Sequence, residues 1–233
     1  MRKIIVTDLT RFKKPDTVCT AGIDINSGEC LRPMPYLSSA RCAELNFQPG
    51  AILEGDLTLN PNATKPHIED AGYKKLSYLG PSTADQFKAI LNNSLSASVS
   101  SGFGFVFSIG QKHIPININA NCSIITIKVD SHQIQIHEDQ YNPGKVKCSF
   151  TDQDGHQFRY LPITDRGFYD YAQRHRNDGR LHELESFIYS QNEIYLRIGL
   201  SRAYSISDRN GYWLQVNGIY TFPLFHQEIR SYK

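Results

Sequence analysis

Residues 193–202, EIYLRIGLSR, and residues 212–221, YWLQVNGIYT, decide how this chain is read. In the first, Ile194, Leu196, Ile198 and Leu200 alternate with Tyr195, Arg197, Gly199 and Ser201. That period of two describes a β-strand with one apolar face and one polar face. In the second, Tyr212, Leu214 and Val216 share a side, and Trp213, Gln215 and Asn217 share the other. If the strands pair, their polar sides coincide. The expected result is an outward platform with an indole for stacking and two amides able to read base edges. Arg197 and Arg202 would contact phosphate or base, Ser201 adds a hydroxyl, and Gly199 clears space for a close approach. The same residues admit another reading. Trp213 could be covered by a helix, Gln215 and Asn217 could sit in solvent or in a buried network, and Arg197 could pair with Glu193 or Glu228.

Outward from this pair, the chain is a series of short strands. Residues 3–7 open it, 8–14 read as a polar connection, and 17–24 and 29–33 form a hairpin around Asn26-Ser27-Gly28. Residues 51–59 alternate as a half-buried strand. The three prolines of residues 60–81 suggest a long irregular loop. Ser82-Thr83 with Gln86 predicts a capping box that opens a short helix ending at Leu91. Residues 92–102 read as a mobile Ser-rich stretch, and 103–109 as a further strand.

Beyond Pro and Asn punctuation at 115–121, strands are predicted at 123–129, 133–137, 145–151 and 156–161, with Asp154-Gly155 as a hairpin signal. Thr164 or Asp165 caps a helix that runs to Asp178 and stops at Gly179. The fold class expected is mainly β with a few short helices, as two tandem small OB-like β-barrels. The first spans residues 1–118, with the long loop 60–81 and a short helix. The second spans 119–233, with a helix at 165–178.

Composition fits that plan. With 233 residues there is room for two small domains, and 13 Tyr, 12 Phe, 11 Pro and 16 Gly favour strands and turns. The net charge is only +2, and Lys/Arg against Asp/Glu runs ten to nine, five to four and ten to ten over residues 1–80, 81–150 and 151–233. The electrostatic footprint of a tight, unspecific nucleic-acid binder is missing at this level. The five cysteines (Cys19, Cys30, Cys42, Cys122 and Cys148) include no CxxC, which argues against a paired-motif zinc site and for free thiols. No apolar run is long enough for a bilayer and no leader-like segment is seen, so a soluble cytoplasmic protein with no membrane partner is expected.

Two further groups could carry chemistry. In the loop, His67 stands beside Glu69 and Asp70, a set suited to acid–base work or to metal ligation, although the spacing matches no standard zinc pattern. Arg11 and Arg32 sit near the mouth of the first barrel, with Lys13 and Lys14 as a minor basic spot. The chain has no GxSxG elbow, P-loop, HExxH or dinucleotide fingerprint, so it reads as a binding module before an enzyme, with neither cofactor nor metal expected.

Several phrases together carry a resemblance. IVTDLTR at 5–11, CTAGID at 19–24 with Gly28, LRP at 31–33, PHIED at 66–70, LRIGLSR at 196–202 and WLQVNGIYTFP at 213–223 resemble bacterial proteins described as carrying a dual OB-fold domain. The likeness implies two barrels in tandem and, by analogy with other OB-folds, a role in binding single-stranded nucleic acid or nucleotides. An accessory role in bacterial defence or mobile-element systems is consistent with it. Two other classes stay open: a protein–protein adaptor using the aromatic face of 212–225, and a nucleotide- or nucleic-acid-processing enzyme using His67, Glu69 and Asp70.

Overall fold

The structure, a computed structural model, describes residues 1–12 and 16–224. Lys13, Lys14, Phe225 and Glu228 therefore lie outside the described residues. The first unit holds β1 (Arg2–Arg11), β2 (Thr17–Asp24), β3 (Cys30–Met34), β4 (Leu37–Ser38), α1 (Ser39–Glu44), β5 (Ala51–Leu59), β6 (Asp70–Pro81) and α2 (Ala84–Asn93). After it come α3 (Val99–Phe103), β7 (His113–Pro115), β8 (Ile124–Val129), β9 (Ile134–Glu138), β10 (Val146–Thr151) and β11 (Gln157–Pro162). The chain ends with α4 (Arg166–Asn177), α5 (Leu181–Tyr189), β12 (Glu193–Leu200), β13 (Tyr204–Ile206) and β14 (Arg209–Phe222).

The first unit is a closed barrel of five strands. β1 pairs β2, β2 pairs β3, β3 runs parallel to β6, β6 pairs β5, and β5 returns to β1. Its core is Ile4, Val6, Leu9, Val18, Leu31, Leu53 and Leu57 with their neighbours. Gly22 allows the tight β1–β2 crossing, since a Cβ there would sit 2.7 Å from the Ile5 carbonyl oxygen.

The second unit repeats the plan in opened form. β8 and β9 act as one bent first strand. β9 pairs β10, β10 pairs β11, and β8 pairs β12, which pairs β14. The parallel seam between β11 and β14 shrinks to one bridge, Ile163 to Val216. Two small OB-like barrels in a mainly β chain are therefore present. The alternation of residues 193–202 holds: Ile194, Leu196, Ile198 and Leu200 all enter the second core.

Several local expectations change. Residues 60–81 are only partly loop, because β6 starts at Asp70 and pairs with β5 and β3. Its alternation was hidden by two register shifts against β5 and by Lys75, which sits at φ 52°. β1 runs on through the supposed connection to Arg11, with a bulge at Thr7 between the Val6 and Asp8 pairings. Residues 103–109 form no strand. Phe103 ends α3, Gly104 caps it at φ 67°, and Phe105 and Phe107 anchor the loop by packing edge to face. The Ser-rich stretch holds α3, closed by a capping box of Ser98 and Ser101. The predicted box at Thr83 and Gln86 is present, and Asp165 caps α4.

The packing divides earlier than residue 118. Val99, Phe103, Phe107 and Ile114 belong to the second core. Between the units lies a third cluster of Ile5, Ile23, Phe87, Ile90, Leu91, Tyr195, Tyr220 and Phe222. The polar-side residues of β12 thus face the first barrel.

Candidate functional site

The side of β12 expected to point outward is the joint between the barrels. Arg197 is 1% exposed. Its Nη2 lies 2.8 Å from Asp8 Oδ2 and its Nε donates to the same oxygen at 3.0 Å. Nη1 donates to Thr126 Oγ1 at 2.8 Å, and Nη2 to Cys30 Sγ at 3.3 Å. Thr7 Oγ1 donates to Asp8 Oδ2 at 2.8 Å. The Thr7 bulge turns this dipeptide out of the first barrel and into the joint. A buried guanidinium needs such partners, because an unpaired charge away from water is costly.

A second knot adjoins it. Arg32, also buried, donates from Nε to Asp70 Oδ1 at 2.6 Å and from Nη1 to Ser123 Oγ at 3.1 Å. Its Nη2 lies 3.1 Å from His67 Nδ1. Glu69 spans the units. Its Oε1 accepts from the Ser123 and Ile124 amides at 2.7 and 3.1 Å, and its Oε2 from Ser123 Oγ at 2.9 Å. Arg202 closes the knot at the surface, donating from Nη2 to both Asp70 oxygens at 3.0 and 2.9 Å and from Nε to Tyr36 Oη at 3.1 Å.

His67 is therefore buried against the Arg32 guanidinium, with the charge of Arg202 also acting on it. Burial, then the charges of Arg202 and Arg32, push its imidazole down to about 3. It is a neutral ring at physiological pH, set edge-on to Tyr212 at 5.8 Å.

The structure thus separates the predicted platform. Arg197 and Asn217 are buried, and Asn217 Oδ1 accepts from Gln215 Nε2 at 3.0 Å and from Thr164 Oγ1 at 2.9 Å. Gly199 does clear space, but for Asn217, whose amide a Cβ there would strike. Ser201 Oγ accepts from the Trp213 amide at 2.9 Å and donates to the Arg202 carbonyl at 2.8 Å. Arg11 stacks its guanidinium over Tyr169, 3.6 Å from the ring centre. Arg32, expected at a barrel mouth, lies inside the joint. Arg197 and Arg32 are buried because the first barrel packs on this face of β12, whereas Asn217 and Ser201 are engaged by neighbours within the second unit.

Trp213 is different. It lies past the covered part, on the segment of β14 flanked by β7 on one side and β13 on the other. His113 stacks on it at 4.8 Å and 23°, and Tyr204 lies at 5.8 Å and 31° from the opposite side. The Arg209 guanidinium lies 5.4 Å from the Trp213 ring centre. The three rings form a part-exposed ladder across three strands. Nearby, Lys112 is lowered from its ordinary value by burial, then by Lys147, with Arg209 adding to the effect and Asp139 opposing it. His113 and Tyr204 carry no sequence signal, because three-residue strands such as β7 and β13 are too short for a period to show, and Lys112 and Arg209 lie outside the alternating run 212–221.

The five cysteines are free thiols, and among the described residues no group of three His, Cys, Asp or Glu could hold a metal ion. No helix among them is long and apolar enough to cross a membrane.

Two OB-like barrels fused by a polar joint, with an aromatic ladder at one free edge, make a binding module of the OB-fold class. Over residues 3–219 the chain matches the family model described as a dual OB-containing domain, and it belongs to that family. No curated protein matches the chain.

Proposed function

We propose that this chain binds single-stranded nucleic acid or a nucleotide at the free edge of the second barrel, on the ladder of His113, Trp213 and Tyr204. The observation that carries the reading is that ladder with the Arg209 guanidinium 5.4 Å from its central ring. Bases stack on aromatic faces whatever their sequence, and cations meet the phosphates between them. Since His113 and Tyr204 occupy both sides of the indole, an incoming base extends the ladder at its outer rings and Trp213 holds it in line. The near-neutral net charge fits a local contact and not a broad clamp. A cytoplasmic setting, as an accessory to bacterial defence or mobile-element systems, belongs to the same reading.

Stacking of one base is worth roughly 1–3 kcal/mol by truncation. Trp213→Ala removes the ring that aligns His113 and Tyr204 for such a base, and should therefore weaken binding of labelled oligo(dT) or oligo(rU) about tenfold or more in an anisotropy titration. Undetectable binding by the wild type, or equal binding by the variant, refutes the proposal.

One observation favours the adaptor reading instead. Val106 is 85% exposed and Ile109 fully so, on a loop anchored beneath by Phe107. Rigid apolar tips of this kind suit a partner protein. A pull-down with and without nuclease separates the two, because only an association mediated by nucleic acid is lost on digestion. The enzymatic reading would have to use His67, Glu69 and Asp70 while their side chains are engaged with Arg32, Ser123 and Arg202 in the joint.

A further inference from the structure

On the other side of the β7 edge lies a second aromatic group that nothing above uses. β10 and β11 pair Cys148 with Leu161 and Phe150 with Phe158, so Ser149 faces two residues, Arg159 and Tyr160. That bulge places Tyr160 at φ 56°, a left-handed conformation that is rare for a bulky side chain. Such strain is retained where the surroundings fix it, and it concentrates at ligand sites. Here Ser149 fixes it, accepting from the Tyr160 amide at 3.0 Å while its hydroxyl contacts His137 Nε2 at 2.7 Å. The bulge aims the Tyr160 ring at His137, edge to face at 4.8 Å, and at Tyr141 at 5.7 Å. Tyr141 is 74% exposed.

Lys112 joins this group to the ladder. Its ammonium lies 5.6 Å from the Tyr160 ring centre. The next residue, His113, is the first ring of the ladder. Lys112 immediately precedes β7, and among the described residues β7 pairs on one side only, with β14. A chain passing over the β7 edge therefore meets both ring groups, with Lys112 at the crossing. Among the described residues, Asp139 is the carboxylate that acts on Lys112. Its oxygens are already engaged by the Tyr141 amide at 3.0 Å, the Asn142 side chain at 3.2 Å and Lys147 at 3.6 Å.

We infer that Tyr160, with Tyr141 and His137, forms a second stacking platform, and that the ligand is an oligonucleotide crossing the β7 edge at Lys112. This rests on the reading of the ladder above and narrows it: rings, cation, rings is the order of base, phosphate, base. A mononucleotide can occupy only one of the two groups.

The test titrates labelled oligo(dT) of one, two, four and eight nucleotides against the wild type, Trp213→Ala, Tyr141→Ala and Tyr160→Asn. Asparagine tolerates the left-handed backbone, and the exposed Tyr141 can be removed without opening a core. The wild type should gain tenfold or more in affinity between one and four nucleotides, by addition of a second stacked base. Tyr141→Ala and Tyr160→Asn should each weaken the octamer several-fold and leave the mononucleotide unchanged, whereas Trp213→Ala weakens both. Length-independent affinity, or an octamer affinity unmoved in both tyrosine variants, overturns the second platform and leaves the ladder standing. If Trp213→Ala also has no effect, the ladder itself fails, and the second platform with it.

Discussion

Arg197 and Trp213 stand on neighbouring antiparallel strands, on polar sides that the sequence pattern treats alike, yet one is sealed and the other is half open. The difference lies in what covers each. β1 of the first barrel runs across the end of the β12–β14 pair nearer Arg197, bringing Asp8 onto its guanidinium. The other end of β14 extends beyond β1 and pairs with the short strands β7 and β13. One sheet face thus has a structural half and a half available for binding. In the first, polar atoms are matched to each other inside the protein. In the second, rings and cations are matched to each other but still reach solvent.

The comparison can be broken most severely at the joint. Arg197→Leu leaves Asp8 buried without its cation, and loss of one partner of a buried pair costs about 3–5 kcal/mol. Chemical denaturation should show that loss, and the double variant with Asp8→Leu should recover part of it. A fully stable single variant would mean that the joint does not hold the barrels. Next comes Glu69→Ala, which strands the buried Ser123 and Ile124 amides. About 2–3 kcal/mol of stability should go, read by the same unfolding curves.

His67 gives a smaller effect that depends on pH. Its folded value of about 3 lies below the ordinary histidine value of about 6.5. The unfolded chain therefore takes up a proton, as pH falls below 6.5, that the native joint refuses. Stability is intact above that pH and is lost progressively towards pH 3. Between pH 6.5 and 5, above the range where ordinary carboxylates titrate, the wild type should lose on the order of 1–2 kcal/mol more than His67→Gln. Parallel curves for the two proteins would show that the ring is not held neutral.

At the open end the expectation reverses: binding changes and stability hardly does. Arg209→Gln should leave the denaturation midpoint in place and weaken oligonucleotide binding several-fold. The slope of log affinity against log salt should fall by about 0.7, the value for one phosphate contact on a single strand. An unchanged slope would assign Arg209 to the Trp213 ring alone.

Much of the barrel plan was legible in the sequence. The period-two runs of β5, β12 and β14, the Thr83–Gln86 box and the Asp165 cap are local signals, written within a few residues of each other. β6 was not legible, because Lys75 and two register shifts break its period. The loop of Phe105 and Phe107 imitated a strand, since its rings alternate as a strand's do. Of the candidate site residues, the pattern correctly put Arg197, Gln215 and Asn217 on the polar side, but a pattern cannot say what lies over that side.

By itself, then, the sequence determined most of the strands, the apolar faces of β5 and β12, and where α2 and α4 start. Those choices rest on φ/ψ preference, capping and local burial, all short-range. Only the tertiary structure decided that Thr7 and Asp8, Arg32, His67 to Asp70 and Arg197 to Arg202 meet in one joint, and that Trp213 escapes it. Asp8 and Arg197 are separated by 189 positions in the chain. Their attraction acts only once two barrels have folded and excluded the water between them, and no period or spacing in the chain records that event.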